Sequence, residues 1–260
     1  MLNWLVIGIG DISTKRVIPA IRSEPRSRLY GVVTRDKAKG AGVAEHIWDN
    51  LDAALADREI DAVYVATPVA LHAPQTIAAL IHHGPSPAQG SFRSWLLDPK
   101  LAGGGPLFDV ASHRIDLLNY LFGKPVRATG MLSNAVFGWP IEDNATALIE
   151  YESGVRGIVD VRWHSDVVRD QFRIIGTKGE INLDPLSGPE LVHPGGREQL
   201  PTHANIHFPM IENFVAAVLD GAPLLSSGES AIWTDWVTGQ VYCPDAALFG
   251  SQSTSGTPST

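Results

Sequence analysis

The sequence predicts an α/β protein in which a parallel sheet with covering helices is followed by an α+β region on an open, mainly antiparallel sheet. Three observations carry this. Strand-length apolar runs alternate with helix-period stretches through the first 84 residues. A glycine turn follows the first of those runs. Beyond Val126 the pattern changes to short alternating strands separated by turn signals.

The elements follow in order. Trp4-Leu5-Val6-Ile7 is a buried-strand run ending at Gly8, and Val17 to Ile21 show helical spacing behind it. Leu29 to Val33 is a second strand, Leu51 to Leu55 a short helix, and Ala62 to Ala66 a further strand running into Thr67-Pro68. Such alternation implies a parallel sheet of Rossmann type. The turn Gly8-Ile9-Gly10-Asp11-Ile12-Ser13 matches G-x-G-x-x-G with serine in the third place, where a small residue still lets helix and strand pack. Either it is a tight turn, or its N–H groups hold a dinucleotide pyrophosphate at the start of a helix. Thr34 and Arg35 end the second strand, where an acidic residue would bond the ribose hydroxyls of NAD. A hydroxyl and a guanidinium favour NADP, while Asp36 one residue on keeps NAD open and Arg35 can equally be a solvated side chain.

Gly103-Gly104-Gly105 opens a helix carrying Asp109, His113 and Asp116 at i, i+4 and i+7. At about 100° per residue these fall with Tyr120 on one polar stripe, opposite a buried arc of Val110, Leu117, Leu118 and Leu121. His113 is the candidate general acid/base, because imidazole titrates nearest neutral pH, and Asp109 is the group to fix its tautomer. A helix-terminal acid and a packed histidine are the structural alternatives. One helix face rarely completes a coordination shell, so no metal is expected from these three residues.

Strands then follow at Ala145 to Tyr151, Val155 to Trp163, Gln171 to Ile175 and Glu180 to Leu183, read as one antiparallel meander. Phe208 to Leu219 reads as an amphipathic helix with Met210, Phe214 and Leu219 in the core, and Ser230 to Val241 as another helix. The expected organisation is a nucleotide-binding domain over 1–84, a Pro/Ser/Gly-rich junction over 85–91, an α+β substrate and oligomerisation domain over 92–242, and a disordered low-complexity tail over 243–260.

Composition narrows the partners. A net charge of -8 without a basic cluster argues against nucleic acid and anionic membranes, and no apolar stretch approaches a membrane span. The single Cys243 cannot form an internal disulfide, and the first apolar run lacks the flanks of a signal peptide. A cytoplasmic protein acting on a small molecule is the expectation.

On these residues the chain resembles the Gfo/Idh/MocA oxidoreductases. The likeness rests on Gly8 to Ser13, on Val65-Ala66-Thr67-Pro68 followed by His72, on Trp95 to His113, and on Gly228-Glu229-Ser230-Ala231, and spans most of residues 3 to 242. It implies an NAD(P)-dependent enzyme acting on a sugar, cyclitol or related polyol. Gly8, Gly10, Asp11, Ile12, Ser13, Thr34 and Arg35 would hold the cofactor, with Thr67, Pro68 and His72 beside the nicotinamide. His113 and Asp109 would be the acid/base pair. It also implies association through the antiparallel sheet into a homo-oligomer. The chain departs from the family in one segment. No Glu-Lys-Pro occurs, although relatives use that lysine on the reacting hydroxyl, and Gly84 passes straight through the junction to Phe92 and Trp95. The Rossmann part is therefore expected to be truncated, with an exposed sheet edge. Lys100, the lysine nearest the glycine knuckle in sequence, is expected in a solvated loop. Ala111 stands where relatives often carry glycine, and Leu96 where arginine is common. Two further readings stay open: an inactive relative that binds nucleotide or oligomerises, and a metal-assisted sugar isomerase or hydrolase.

Overall fold

A computed structural model describes residues 1–67, 94–134, 136–165 and 168–243. Pro68, His72 and the 85–91 junction lie outside the described residues, as does the tail after Cys243. Two compact units are present, one drawn from 1–67 and 165–225, the other from 68–164 and 226–260.

The first unit holds the parallel sheet, in the order β3-β2-β1-β4. Its strands are β1 (Leu2–Ile7), β2 (Ser27–Val33), β3 (His46–Trp48) and β4 (Ala62–Val65). The order grows outward from β1 in both directions, the arrangement of a doubly wound parallel sheet. β1 pairs in parallel with β2 and with β4, from Trp4 opposite Ala62 to Ile7 opposite Val65. Among the described residues β4 has β1 as its one strand neighbour. Helices α1 (Ile18–Ser23), α2 (Lys37–Gly40) and α3 (Leu51–Leu55) are the crossovers. Asp36 and Asn50 cap α2 and α3 through the N–H groups of Ala38 and Ala53. Leu5, Ile7, Val33, Ala54 and Val65 form the core between sheet and helices.

Residues 165–225, expected with the second domain, pack in this first unit. The apolar residues of β1 and α1 need cover that three short crossover helices do not supply. Helix α6 (Phe208–Asp220) provides it, with Phe214 against Trp4 at 5.2 Å between ring centroids and Asp220 on Arg26 at 2.8 Å. Its buried residues are Ile211 and Val215, whereas Met210 and Leu219 are 40% and 43% exposed. The expected core set was one step out of phase, and Phe214 alone is retained as a partly buried contact.

The second unit holds β5 (Pro125–Ser133), β6 (Asn144–Tyr151) and β7 (Arg156–Arg162), antiparallel throughout. The expected single meander is thus two sheets, because β8 (Phe172–Gly176), β9 (Gly179–Leu183), β10 (Glu190–His193) and β11 (Gly196–Gln199) form a sheet of their own in the first unit. Strict alternation places Ala145, Ala147, Ile149 and Tyr151 of β6 and Val159 and Val161 of β7 in the core. Helix α7 (Gly228–Tyr242) lies close on β5, where any Cβ on Gly130 would meet Val241 at 2.8 Å. Ser227 and Ser230 cap α7 reciprocally, so the Gly228-Glu229-Ser230-Ala231 motif is a helix start.

Candidate functional site

The dinucleotide turn is built from the ends of β1 and β4. Gly8 takes φ +94°, and a Cβ there would stand 2.8 Å from the Ala66 carbonyl oxygen. Only glycine lets the two backbones approach so closely. The Gly8 N–H donates to Val33 O at 2.8 Å and the Ala66 N–H to Ile7 O at 2.7 Å, so the turn is locked from both sides. Gly10 differs: nothing lies within 4 Å of where its Cβ would be. That open face, at the start of a helix, is the cradle a pyrophosphate needs, and the residues fit such a group.

Ser13, in the third-glycine place, is fully buried and accepts from the Gly10 N–H at 2.7 Å while donating to Gly10 O at 3.0 Å. The serine replaces glycine's compactness with a hydrogen-bonded clasp. Ile12 is already helical, and a π-helical turn (Ser13–Val17) leads into α1. Asp11 is ion-paired with Lys15 at 2.7 Å. Thr34 is buried and hydrogen-bonded to the Asp36 backbone, whereas Arg35 is exposed, and among the described residues its guanidinium has no partner. Thr67 closes β4 beside Gly8, its methyl 3.3 Å from the position of a Gly8 Cβ.

The second constellation lies in the other unit. After Gly105 the chain makes a π-helical turn (Leu107–Ala111) before helix α5 (Ser112–Phe122). The turn holds one residue more than an α turn, so the even progression assumed from Asp109 to Tyr120 breaks. Ile115, Leu118 and Asn119 are buried on one face of α5, while Tyr120 is 60% exposed and Leu121 is exposed as well. Val110 and Leu117, expected in the buried arc, are only half-buried. His113 is 8% exposed, and lies about 200° around the helix from Ile115. Asp109 is half-buried one turn earlier.

Asp116 is tied elsewhere. Burial raises its carboxyl above the usual aspartate range, while a hydrogen bond from Thr234 opposes the rise. Thr234 also accepts from Asn119 Nδ2 at 3.2 Å, and Asn119 Oδ1 accepts from the Tyr151 hydroxyl at 3.1 Å. This chain of bonds joins α5, α7 and β6, so Asp116 belongs to the scaffold. Leu96 is 1% exposed in a cluster with Ala102, Ile141 and Trp163, and Lys100 is exposed on the short helix α4 (Pro99–Ala102). Among the described residues no three His, Cys, Asp or Glu side chains are grouped as a metal site requires.

Two acids were missed. Glu142 is 6% exposed and accepts from the Gly105 N–H at 2.8 Å and the Leu107 N–H at 3.0 Å, with the Tyr242 hydroxyl donating to Oε2. Burial pushes its carboxyl above the usual glutamate range, although the two backbone donors favour the ion. Asp143, fully buried, accepts from the N–H groups of Val136 and Phe137, both at 2.9 Å, and from Asn144 Nδ2 at 2.8 Å. Burial alone would raise this carboxyl, but those donors and nearby His164 hold it below the usual range. The signal in the sequence was three consecutive glycines, which imply something pressed against them, and an acidic pair just before a strand.

Residues 2–85 match the oxidoreductase-family NAD-binding Rossmann fold, and residues 74–182 the GFO/IDH/MocA C-terminal domain. The dTDP-3,4-didehydro-2,6-dideoxy-alpha-D-glucose 3-reductase of Streptomyces violaceoruber is 30% identical over 168 residues, 62% of this chain and 47% of the relative. The chain thus matches about half the length of that protein. The 1,5-anhydro-D-fructose reductase of Ensifer adhaerens is 21% identical over 312 positions, 90% of this chain and 93% of the relative. Since 312 aligned positions exceed the 260 residues present, stretches of that relative have no counterpart here. In fold, the chain is similar to GenD2 from gentamicin A biosynthesis, solved with NAD, at a TM-score of 0.74 and 22% identity over 93% of each chain. It is also similar to an aldose-aldose oxidoreductase from Caulobacter crescentus, at 0.73 and 20% over 93% of this chain and 96% of that one. With both halves of one family's domain pair matched in order, and the parallel sheet and glycine turn in place, the chain belongs to the GFO/IDH/MocA oxidoreductase family.

Proposed function

We propose that the chain is an NAD(P)-dependent oxidoreductase acting on a secondary alcohol or ketone of a sugar, cyclitol or related polyol, with NADP favoured. The observation that carries the reading is the Gly8–Ser13 turn, with its open face at Gly10 at the end of a parallel strand. The backbone N–H groups of Asp11 and Ile12 would hold the pyrophosphate, Gly10, whose own N–H is taken by Ser13, would leave room for its approach, and Thr34 and Arg35 would hold the adenosine ribose and its phosphate. Thr67, Pro68 and His72 are assigned to the nicotinamide side by the family alone. When bound, the nicotinamide supplies the two-electron acceptor or donor. His113 takes the hydroxyl proton as an alcohol is oxidised, or returns it to the oxygen as a ketone is reduced, and Asp109 holds the imidazole in the tautomer that can do so. The sugar-reductase names of both curated relatives support this substrate class.

The oligomer reading rests on the outer face of the β5–β7 sheet, where Leu148 and Ile158 are exposed in one cross-strand row, flanked by the charged row of Arg127, Glu150 and Arg156 on one side and by the row of exposed Met131, Thr146 and Asp160 on the other. A second reading, an inactive nucleotide-binding relative, is favoured by the missing Glu-Lys-Pro and by the alignment gaps. Among the described residues no helix is long and apolar enough to cross a membrane.

Titration with NADPH and NADH, followed by turnover with a polyol panel, tests the proposal. Binding with turnover that is lost in His113→Asn supports it. Binding without turnover, with activity created by inserting the missing segment of a relative, establishes the inactive reading. No binding at submillimolar cofactor refutes both.

A further inference from the structure

We infer that Glu142, clamped by Tyr242, is the positioning residue that sets the acid/base pair Asp109 and His113. The inference rests on the proposed role of His113. Glu142 touches neither residue of the pair, and the coupling runs through the helix backbone in two parallel routes. Its Oε2 accepts from the Gly105 N–H, and the carbonyl of the same Gly105 accepts from the Asp109 N–H at 3.1 Å. Its Oε1 accepts from the Leu107 N–H, and the Leu107 carbonyl accepts from the N–H of Ser112, the residue before His113. Both residues gripped by the carboxylate therefore carry, on their other side, the carbonyl that holds Asp109 itself or the residue next to His113.

The glycine knuckle exists to allow this grip. A Cβ on Gly105 would run into the Glu142 carbonyl, and one on Gly104 into the Tyr242 hydroxyl and the Phe108 ring. Phe108 and Tyr242 meet edge to face at 5.0 Å, which fixes the hydroxyl that donates to Glu142. A carboxylate at the start of a helix is held by charge-assisted bonds and by the helix dipole, so it defines where the first turn begins. The π turn lies within this stretch, between the Gly105 anchor and His113. Its extra residue sets the rotation of everything after it, and an anchor upstream fixes which residue becomes His113's position.

The test uses Glu142→Gln in the full chain. Glutamine keeps the shape but presents an amide donor to either Gly105 or Leu107, leaving one N–H without an acceptor. The first readout is the NMR titration of the His113 imidazole, assigned by its loss in His113→Asn. The second is the split between kcat and KM on whichever polyol the wild-type chain turns over. The expected result for folded Glu142→Gln is a displaced His113 titration, a kcat lower by about ten- to a hundredfold, and a cofactor Kd within about twofold of wild type. Tyr242→Phe, which keeps both backbone bonds, should move the same readouts less and in the same direction. A purely structural Glu142 would lower the unfolding midpoint and leave the His113 titration and kcat of the folded protein unchanged, and that result overturns the inference. Should Glu142→Gln not fold, an unchanged His113 titration in Tyr242→Phe overturns it equally. A wild-type chain without turnover refutes the functional proposal, and the His113 titration then decides this inference alone.

Discussion

Gly8 and Gly10 sit two residues apart in one turn, yet alanine at each should do opposite things. At Gly8, φ of +94° is outside the range of L residues, and the new Cβ would lie 2.8 Å from Ala66 O and 3.0 Å from Ala66 C. Both are backbone atoms, and the bonds from Gly8 to Val33 and from Ala66 to Ile7 prevent β4 from yielding. The conformational penalty is about 1–2 kcal/mol, and overpacking against a rigid neighbour adds about 1–3 kcal/mol. A loss of about 2–5 kcal/mol is large against the usual 5–15 kcal/mol of stability. With a urea slope of about 2–3 kcal/mol/M, the midpoint should fall by about 1–2 M. Gly10→Ala meets nothing within 4 Å, so its stability should stay within about 0.5 kcal/mol of wild type. It should instead weaken NADPH by about tenfold or more, because its methyl occupies the face a pyrophosphate approaches. Urea unfolding followed by tryptophan fluorescence and calorimetric titration with NADPH measure the two effects. A Gly8→Ala midpoint within about 0.3 M of wild type would refute the steric reasoning, and a Gly10→Ala variant that binds NADPH normally would refute the cradle.

Three other outcomes are expected. Asp143→Asn should cost about 1.5–3 kcal/mol at neutral pH, since the two backbone N–H groups lose a charged acceptor and the new amide nitrogen, in the place of Oδ1, faces the Asn144 Nδ2 donor. Because the folded carboxyl titrates below its unfolded value, its contribution is complete above the unfolded range and fades as pH falls through the folded value. The gap between wild type and variant in urea should therefore narrow as pH falls below the ordinary aspartate range, and a gap independent of pH contradicts the assignment. Arg35→Ala should weaken NADPH by about tenfold or more and NADH by less than about twofold, measured by fluorescence titration; equal losses would assign Arg35 to general surface charge. Tyr151→Phe removes the donor to Asn119 Oδ1 in the buried network and should lower stability by about 1–3 kcal/mol in calorimetry, an effect that Thr234→Val should not add to fully if the network is one unit.

Much of the architecture was legible in the residues. Strand runs such as Trp4–Ile7 and Ala62–Val65 carry their own signal, because a strand buried on both faces must be apolar throughout. The glycine turn and the Asp109–His113 spacing were visible for a similar reason: local geometry demands particular residue types at particular offsets. The phase of the site helix was not visible, since a π turn leaves no mark in an apolar pattern read at one fixed angle. Nor was the core face of α6, whose burial depends on Trp4 and α1, some two hundred residues away in the chain.

Residue types and their spacing thus sufficed for family, sheet class and candidate chemistry, because those depend on short-range periodicity and backbone rules. Folding alone decided which acids matter beside them. Glu142 reads as an ordinary charged residue before a strand until the chain brings it onto the Gly105 and Leu107 amides. Its meaning comes from contacts across 37 and 35 residues, and pairings at such separation are set by packing and by the need to satisfy buried polar groups.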